Sequence, residues 1–263
     1  MRAPDSWSFE HDMIVRRFGA GPEIVWIHGL GEWSISYDAA ARHPALAGYA
    51  HTLPDLPGYG RSPWPARLAD SDSLDQLADH LAAWLAPRPP AVLIGHSMGG
   101  VLATLVAERT ATPPRGVVDI DGNLSSGDCT FSARAAAWSV EEFAERGFAE
   151  LRAEILAEGA RDPALHGYHA ALCASSPWVF HRNAVDLVRL SGTDTLAARL
   201  AALRCPALFV AGVPDGVCEH SRALLDRAGV RWVGIEPAGH WIHVDQPDAF
   251  AREVAPFLAS CTA

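Results

Sequence analysis

The sequence holds no apolar run as long as a membrane-spanning helix needs. Its first residues, Met1-Arg2-Ala3-Pro4-Asp5-Ser6, carry no apolar signal core. Both absences predict a cytoplasmic protein without membrane contact. Basic residues are outnumbered: Lys and Arg total 21 against 31 Asp and Glu, a formal net charge of −10. That balance excludes nucleic acid and anionic membrane surfaces as partners. Cysteine is sparse. Cys129, Cys173, Cys205, Cys218 and Cys261 are odd in number, widely spaced and without a C-x-x-C pair. Neither a disulfide framework nor a structural zinc site is expected, so no metal is predicted. There is no internal repeat and no low-complexity tract beyond Ala-rich helices. The stretch Gly29-Leu30-Gly31-Glu32-Trp33-Ser34 lacks the third glycine or alanine of a dinucleotide loop. It also has no acidic partner at the required spacing, so no nucleotide cofactor is expected.

What is present centres on Gly95-His96-Ser97-Met98-Gly99-Gly100. The apolar run Ala91-Val92-Leu93-Ile94 before it reads as a buried strand. The run from Val101 to Arg109 after it reads as a helix apolar on most sides. A strand, G-x-S-x-G and a helix make a nucleophile elbow. The glycines are needed because Ser97 sits on a turn too sharp for neighbouring Cβ atoms. The first helical amides, Met98 foremost, have no partner inside the helix and can stabilise an oxyanion.

The rest of the chain alternates strand and helix. Trp7–Glu10 and Met13–Phe18 predict two short strands, and Ile24-Val25-Trp26-Ile27 a strand covered on both faces. This strand runs into His28-Gly29-Leu30-Gly31, where the Leu30 amide is a second oxyanion donor and His28 braces the loop. Residues 34–47 read as helical and 51–54 as a strand. Asp55-Leu-Pro-Gly58-Tyr-Gly60-Arg-Ser62 is a constrained turn. Residues 73–86 form a helix capped by Ser73, and 116–121 a strand. From 122 to 195 the strand signal disappears. Ala-rich helical stretches carry Phe131, Trp138, Phe143, Phe148, Tyr168, Trp178 and Phe180. Most of these aromatics are expected to pack the segment's own core. Phe131, Trp138 and Trp178, with His28, are the expected pocket residues. Strands at 206–212 and 230–235 and helices at 219–228 and 247–258 complete a mostly parallel sheet wound on both faces.

A serine nucleophile needs a base and an orienting acid. His240, in Glu236-Pro-Ala-Gly239-His240 beyond the last strand, stands on the same carboxyl edge as the elbow. His243 is the alternative, with packing beside the final helix as its other reading. His96 is excluded because adjacent side chains on a tight turn diverge. Asp215, three residues past Gly212, is preferred as the acid because it gives the chain order serine, acid, histidine. Asp121, ending the strand after the elbow, is the alternative acid.

With these motifs in place the chain resembles the α/β-hydrolase superfamily. The resemblance rests on His28-Gly29, Asp55 to Ser62, Gly95-His-Ser97-Met-Gly99-Gly100, Gly212-Val-Pro-Asp215, and Gly239-His240 followed by Asp245-Gln-Pro247. It implies an α/β-hydrolase fold: a mostly parallel eight-stranded sheet with helices on both faces. The core would be residues 1–121 and 196–263, with 122–195 inserted as a helical cap. It also implies hydrolysis through an acyl-enzyme with Ser97, Asp215 and His240 as catalytic triad. Leu30 and Met98 would form the oxyanion hole, with no cofactor. Serine at the elbow sets the chain apart from the dehalogenase and epoxide-hydrolase branches. The expected function is a serine hydrolase of an ester, lactone or thioester of a mainly apolar small molecule. An acyl carrier becomes a partner if the bond is a thioester. The alternatives are a C–C bond hydrolase of a β-diketone or ring-cleavage product, and a small-molecule binding protein with little turnover.

Overall fold

The computed structural model describes residues 5–64 and 73–263. Residues 1–4, part of the stretch examined above for a signal core, lie outside the described residues. No helix among the described residues is long and apolar enough to cross a membrane.

The strands are β1 (Ser6–Glu10), β2 (Met13–Gly19), β3 (Glu23–Ile27), β4 (Ala50–Asp55), β5 (Val92–His96), β6 (Gly116–Ile120), β7 (Ala207–Asp215) and β8 (Trp232–Gly239). They form one sheet in the order β1-β2-β4-β3-β5-β6-β7-β8. The β1–β2 and β2–β4 pairs are antiparallel, and every pair from β4 to β8 is parallel. The continuous apolar runs are explained by burial on both faces. Ile24 and Trp26 of β3, with Val92 and Ile94 of β5, pack into one layer. Val25, Ile27 and Leu93, pointing the other way, pack into the second. Each such side chain contributes roughly 1.5–3 kcal/mol of burial free energy.

Helices cover both faces. Helix α1 (Asp38–Ala41) is a single turn between 3₁₀ segments Ser34–Tyr37 and Pro44–Leu46. The continuous helix expected over 34–47 is therefore broken, since Pro44 has no N–H to continue it. Helix α2 (Leu74–Leu85) begins as the sequence predicts. Ser73 Oγ accepts from the Gln76 N–H at 3.2 Å, and Gln76 Oε1 accepts from the Ser73 N–H at 3.4 Å. Helix α3 (Met98–Arg109) follows the elbow, buried along nearly its whole length.

Between β6 and β7 the chain forms α4 (Thr130–Ala136), α5 (Val140–Glu142), α6 (Phe148–Glu158), α7 (Pro163–Leu172), α8 (Pro177–Ser191) and α9 (Leu196–Ala201). Phe143, Phe148 and Phe180 build much of the insert's own core, with ring centroids 5.5–5.7 Å apart. Polar contacts fasten it to the rest of the fold. The Ser176 N–H donates to Gly58 O at 2.8 Å, Asn183 Nδ2 to Tyr59 Oη at 2.8 Å, and the Leu74 N–H to Asp186 Oδ2 at 2.8 Å. Helices α10 (Glu219–Ala228), α11 (Ile242–Asp245) and α12 (Pro247–Thr262) complete the chain. Because the strands from β4 to β8 run parallel, His28, Ser97, Asp121 and His240 all emerge at one edge.

Candidate active site

Ser97 sits at φ 56°, ψ −123°, a left-handed conformation held between β5 and α3. Such strain persists only where the surroundings over-determine it, as they do here. A Cβ on Gly95 would meet Gly99 O at 2.0 Å, and one on Gly99 would meet Ile27 O at 1.9 Å. The Ser97 N–H donates to Ile120 O at 2.9 Å, pinning the turn to the neighbouring strand. The Ser97 hydroxyl donates to Asn123 Oδ1 at 3.2 Å. The Met98 N–H opens α3 directly behind the serine and so has no acceptor within the helix.

His240 follows β8 and shares a cleft with Ser97. Its Nδ1 lies 2.6 Å from Asp121 Oδ2. The other Asp121 oxygen accepts from the backbone N–H of Gly212 at 3.1 Å and of Val217 at 3.0 Å. Asp121 is fully buried. Asp215, the preferred acid from the sequence, is not on this histidine. Past Gly212 the β7–β8 register shifts and pairing resumes at Pro214↔Ala238 and Asp215↔Gly239. The extended pairing carries Asp215 outward to an exposed strand end. Asp121 turns out of β6 at φ 50° and takes the space beneath the end of β7. A Cβ on Gly216 would strike its Oδ1 at 2.4 Å.

His28 was an expected pocket residue, and the structure instead buries it completely, outside the cleft lining. Its Nε2 accepts from the Leu56 N–H at 2.9 Å, so its Nδ1 carries the proton and donates to Gly29 O at 2.8 Å. Burial pushes its pKa down, consistent with a neutral ring that braces the loop carrying Leu30. His243 is also fully buried, edge-on to His96 and against Tyr37. Desolvation and the neighbouring His96 bring its pKa down to about 3.

The cleft over Ser97 and His240 is small. Phe131, Tyr168 and Trp241 form an aromatic wall, with centroid separations of 5.1–6.2 Å. Asn123, Thr130 and Ser132 line it with polar groups. Of the three aromatics singled out in the sequence, only Phe131 is among the described residues lining the cleft. Trp138 packs against Gly147, and its carbonyl faces His181 Nε2 at 2.9 Å. Trp178 stands at the exposed start of α8. Asn123, Tyr168 and Trp241 were not anticipated as site residues. Adjacency was the available signal for two of them, since Trp241 follows His240 and Asn123 comes two residues after Asp121.

Among the described residues, Glu32, His96 and His243 form a cluster of metal-ligand type, their ligand atoms within 4.8 Å of one another. Both Glu32 oxygens and both His96 nitrogens are already engaged in hydrogen bonds. Both ring nitrogens of the third member, His243, are buried without a hydrogen-bond partner among the described residues.

The sequence model of the "Alpha/beta hydrolase family" matches residues 24–253. A relative from Aeromonas hydrophila named pimeloyl-[acyl-carrier protein] methyl ester esterase is 30% identical, covering 93% of this chain and 98% of its own. A relative from Serratia proteamaculans named 2-succinyl-6-hydroxy-2,4-cyclohexadiene-1-carboxylate synthase is 27% identical over 91% of this chain and 94% of its own. Among solved structures, a thermophilic esterase from Thermogutta terrifontis aligns over 99% of this chain and 100% of its own, with a TM-score of 0.77 and 20% identity. That likeness supports the fold. With its elbow, sheet order and family match all in place, the chain belongs to the alpha/beta hydrolase family.

Proposed function

We propose that Ser97, His240 and Asp121 are the nucleophile, general base and orienting acid of an ester hydrolase. The observation that carries the reading is the His240–Asp121 contact opening onto the same cleft as the strained Ser97. The family and the ester-named relative spanning nearly the whole chain support ester cleavage as the reaction. Asp121, fixed by two backbone N–H groups, holds the proton on His240 Nδ1, which leaves Nε2 free to accept one. Ser97 Oγ gives its proton to Nε2 and attacks the ester carbonyl. The Leu30 and Met98 amides stabilise the oxyanion. Collapse of the tetrahedral intermediate expels the alcohol, which takes the proton back from His240. Water then attacks the acyl-enzyme by the same route. Before substrate arrives the hydroxyl rests on Asn123, and it rotates to His240 in the Michaelis complex.

The 122–195 insert acts as the cap, contributing Asn123, Thr130, Phe131, Ser132, Tyr168 and Leu187 to the cleft. The substrate is a small ester whose apolar ring or chain lies on Phe131, Tyr168 and Trp241 and whose polar group meets Asn123 or Ser132. The mainly apolar pocket expected from the sequence thus becomes a cleft with one aromatic and one polar wall. Five unpaired cysteines support a reducing, cytoplasmic setting.

The test is a panel of p-nitrophenyl esters, acyl thioesters and lactones with wild type and Ser97→Ala. Turnover by wild type and none by Ser97→Ala is expected, with short-chain or aryl esters preferred. Turnover that survives in Ser97→Ala removes the serine mechanism.

A further inference from the structure

Each catalytic group has a chain neighbour, and those neighbours converge on one buried carboxylate. Gly29 precedes Leu30, His96 precedes Ser97, and Trp241 follows His240. Glu32, only 2% exposed, meets all three. Its Oε2 accepts from the Gly29 N–H at 2.8 Å, and its Oε1 accepts from Trp241 Nε1 at 2.7 Å. His96 Nδ1 lies 3.1 Å from Oε2 and 3.0 Å from Oε1. The other ring nitrogen, Nε2, lies 2.9 Å from the carbonyl oxygen of His240. A carbonyl can only accept, so His96 Nε2 carries a proton. A carboxylate taking hydrogen bonds from an amide and an indole is held in its ionised form, so His96 Nδ1 carries a proton as well. Elementary hydrogen-bond accounting therefore makes His96 an imidazolium and Glu32 its buried counter-ion.

We infer that Glu32 is a positioning residue. Its ion pair with His96 locks the oxyanion loop, the elbow and the His240 loop into one registered unit. The inference rests on the serine-hydrolase reading and adds to it a charge without which the three parts lose their common anchor. His96 is within reach of the carboxyl groups of Glu32, Asp119, Asp121 and Asp245 and of the imidazoles of His28, His240 and His243. Of these side chains, Glu32 is the one that hydrogen-bonds the His96 ring, whose other nitrogen meets the His240 carbonyl. Burial opposes the charge on His96, and Glu32 outweighs it, so the ring stays protonated above the ordinary histidine range. Glu32 is correspondingly held below the ordinary carboxylate range, although burial alone would raise it. The pair then breaks on the alkaline side, as pH rises through the raised His96 value. A neutral His96 can donate from only one nitrogen, and either the Glu32 or the His240 tie is lost.

The experiment compares wild type, Glu32→Gln, Glu32→Asp and Ser97→Ala on one short-chain p-nitrophenyl ester across pH 6 to 10, each variant checked for folding by thermal melting. Displacing catalytic groups by about 1 Å costs on the order of 10²-fold. Glu32→Gln is expected to lower kcat by about that factor with KM little changed. It should also erase the alkaline limb expected of the wild-type kcat profile. Glu32→Asp, which keeps the charge, should recover part of kcat and restore the limb. A purely structural carboxylate would change melting temperature without moving that limb. In parallel, ¹⁵N-histidine NMR of wild type, with His96→Gln to assign the signal, should show His96 protonated on both nitrogens at pH 8. A neutral His96 overturns the inference even if Glu32→Gln fails to fold. So does a folded Glu32→Gln with wild-type kcat and pH profile. If Ser97→Ala is inactive while Glu32→Gln is unimpaired, the positioning role alone falls. If Ser97→Ala stays active, the serine reading falls.

Discussion

Replacing Asp121 by Asn isolates the proposed orienting acid with little change of shape. The structure dictates how the new side chain sits. Two backbone N–H groups, from Gly212 and Val217, aim at Asp121 Oδ1. An amide nitrogen there would set donor against donor, so the asparagine oxygen must occupy that position. The –NH₂ group is forced into the place of Oδ2, 2.6 Å from His240 Nδ1. Nδ1 must then accept, and the ring proton moves to Nε2, the nitrogen that has to take the proton of Ser97. The enzyme keeps its fold and its cleft but holds the wrong tautomer. In serine triads this substitution costs about 10⁴-fold in kcat, or about 5.4 kcal/mol at 1.36 kcal/mol per tenfold. Asp215→Asn, at an exposed strand end, should leave kcat close to that of wild type. Initial rates on p-nitrophenyl acetate, with melting curves as the folding control, measure both. Asp121→Asn within tenfold of wild type, or Asp215→Asn as damaging as Asp121→Asn, would refute the assignment.

Two further outcomes follow from the same geometry. Asp119 in β6 is buried, and desolvation, with Asp121 adding to it, pushes its pKa from 3.8 up to about 8. A carboxyl raised in the native state lowers stability as pH climbs from its unfolded value through the native one. Asp119→Asn keeps an acceptor for the Gly122 N–H, so its melting-temperature gain over wild type should be larger at pH 8.5 than at pH 5, and an equal gain at both refutes this. Phe131→Ala should change the ratio of kcat/KM between an aryl ester and an acetate by about 1–3 kcal/mol, whereas Trp178→Ala, exposed and away from the cleft, should leave it unchanged. A shift with Trp178→Ala as large as that with Phe131→Ala sinks the pocket assignment.

Signals legible in the sequence were those whose physics is local. An apolar run between breakers becomes a strand buried on both faces, as Ile24 to Ile27 and Val92 to Ile94 do. Ser73 and Gln76 cap a helix with their own side chains, and three glycines around Ser97 declare a turn with no space for Cβ. Leu30 and Met98 are proposed as amide donors from chain position alone, one in a loop after a strand and the other at a helix start. Pocket-lining aromatics were harder. Phe131, Trp138 and Trp178 look alike in composition, and the direction each faces depends on how α4 and α8 pack against the sheet.

The acid shows where chain position stops deciding. Asp121 and Asp215 both end strands on the catalytic edge, and which one reaches His240 depends on how far β7 and β8 stay paired. The register shift at Gly212 lengthens that pairing and carries Asp215 away. Gly216, too small to obstruct Asp121, leaves room for the other carboxylate beneath the strand end. Glu32 was hidden for a related reason. In sequence it is one acidic residue in a Gly-rich loop, where a solvated side chain is the ordinary expectation. Its role appears only once His96 and Trp241, 64 and 209 residues away, are folded against it. A buried charge is costly without partners, so its burial implies a full set of them. Here the partners are the chain neighbours of the proposed oxyanion donor, nucleophile and base. The loop of Leu30, the turn of Ser97 and the loop of His240 are therefore coupled through the protein interior, and a change at Glu32 should register at all of them together.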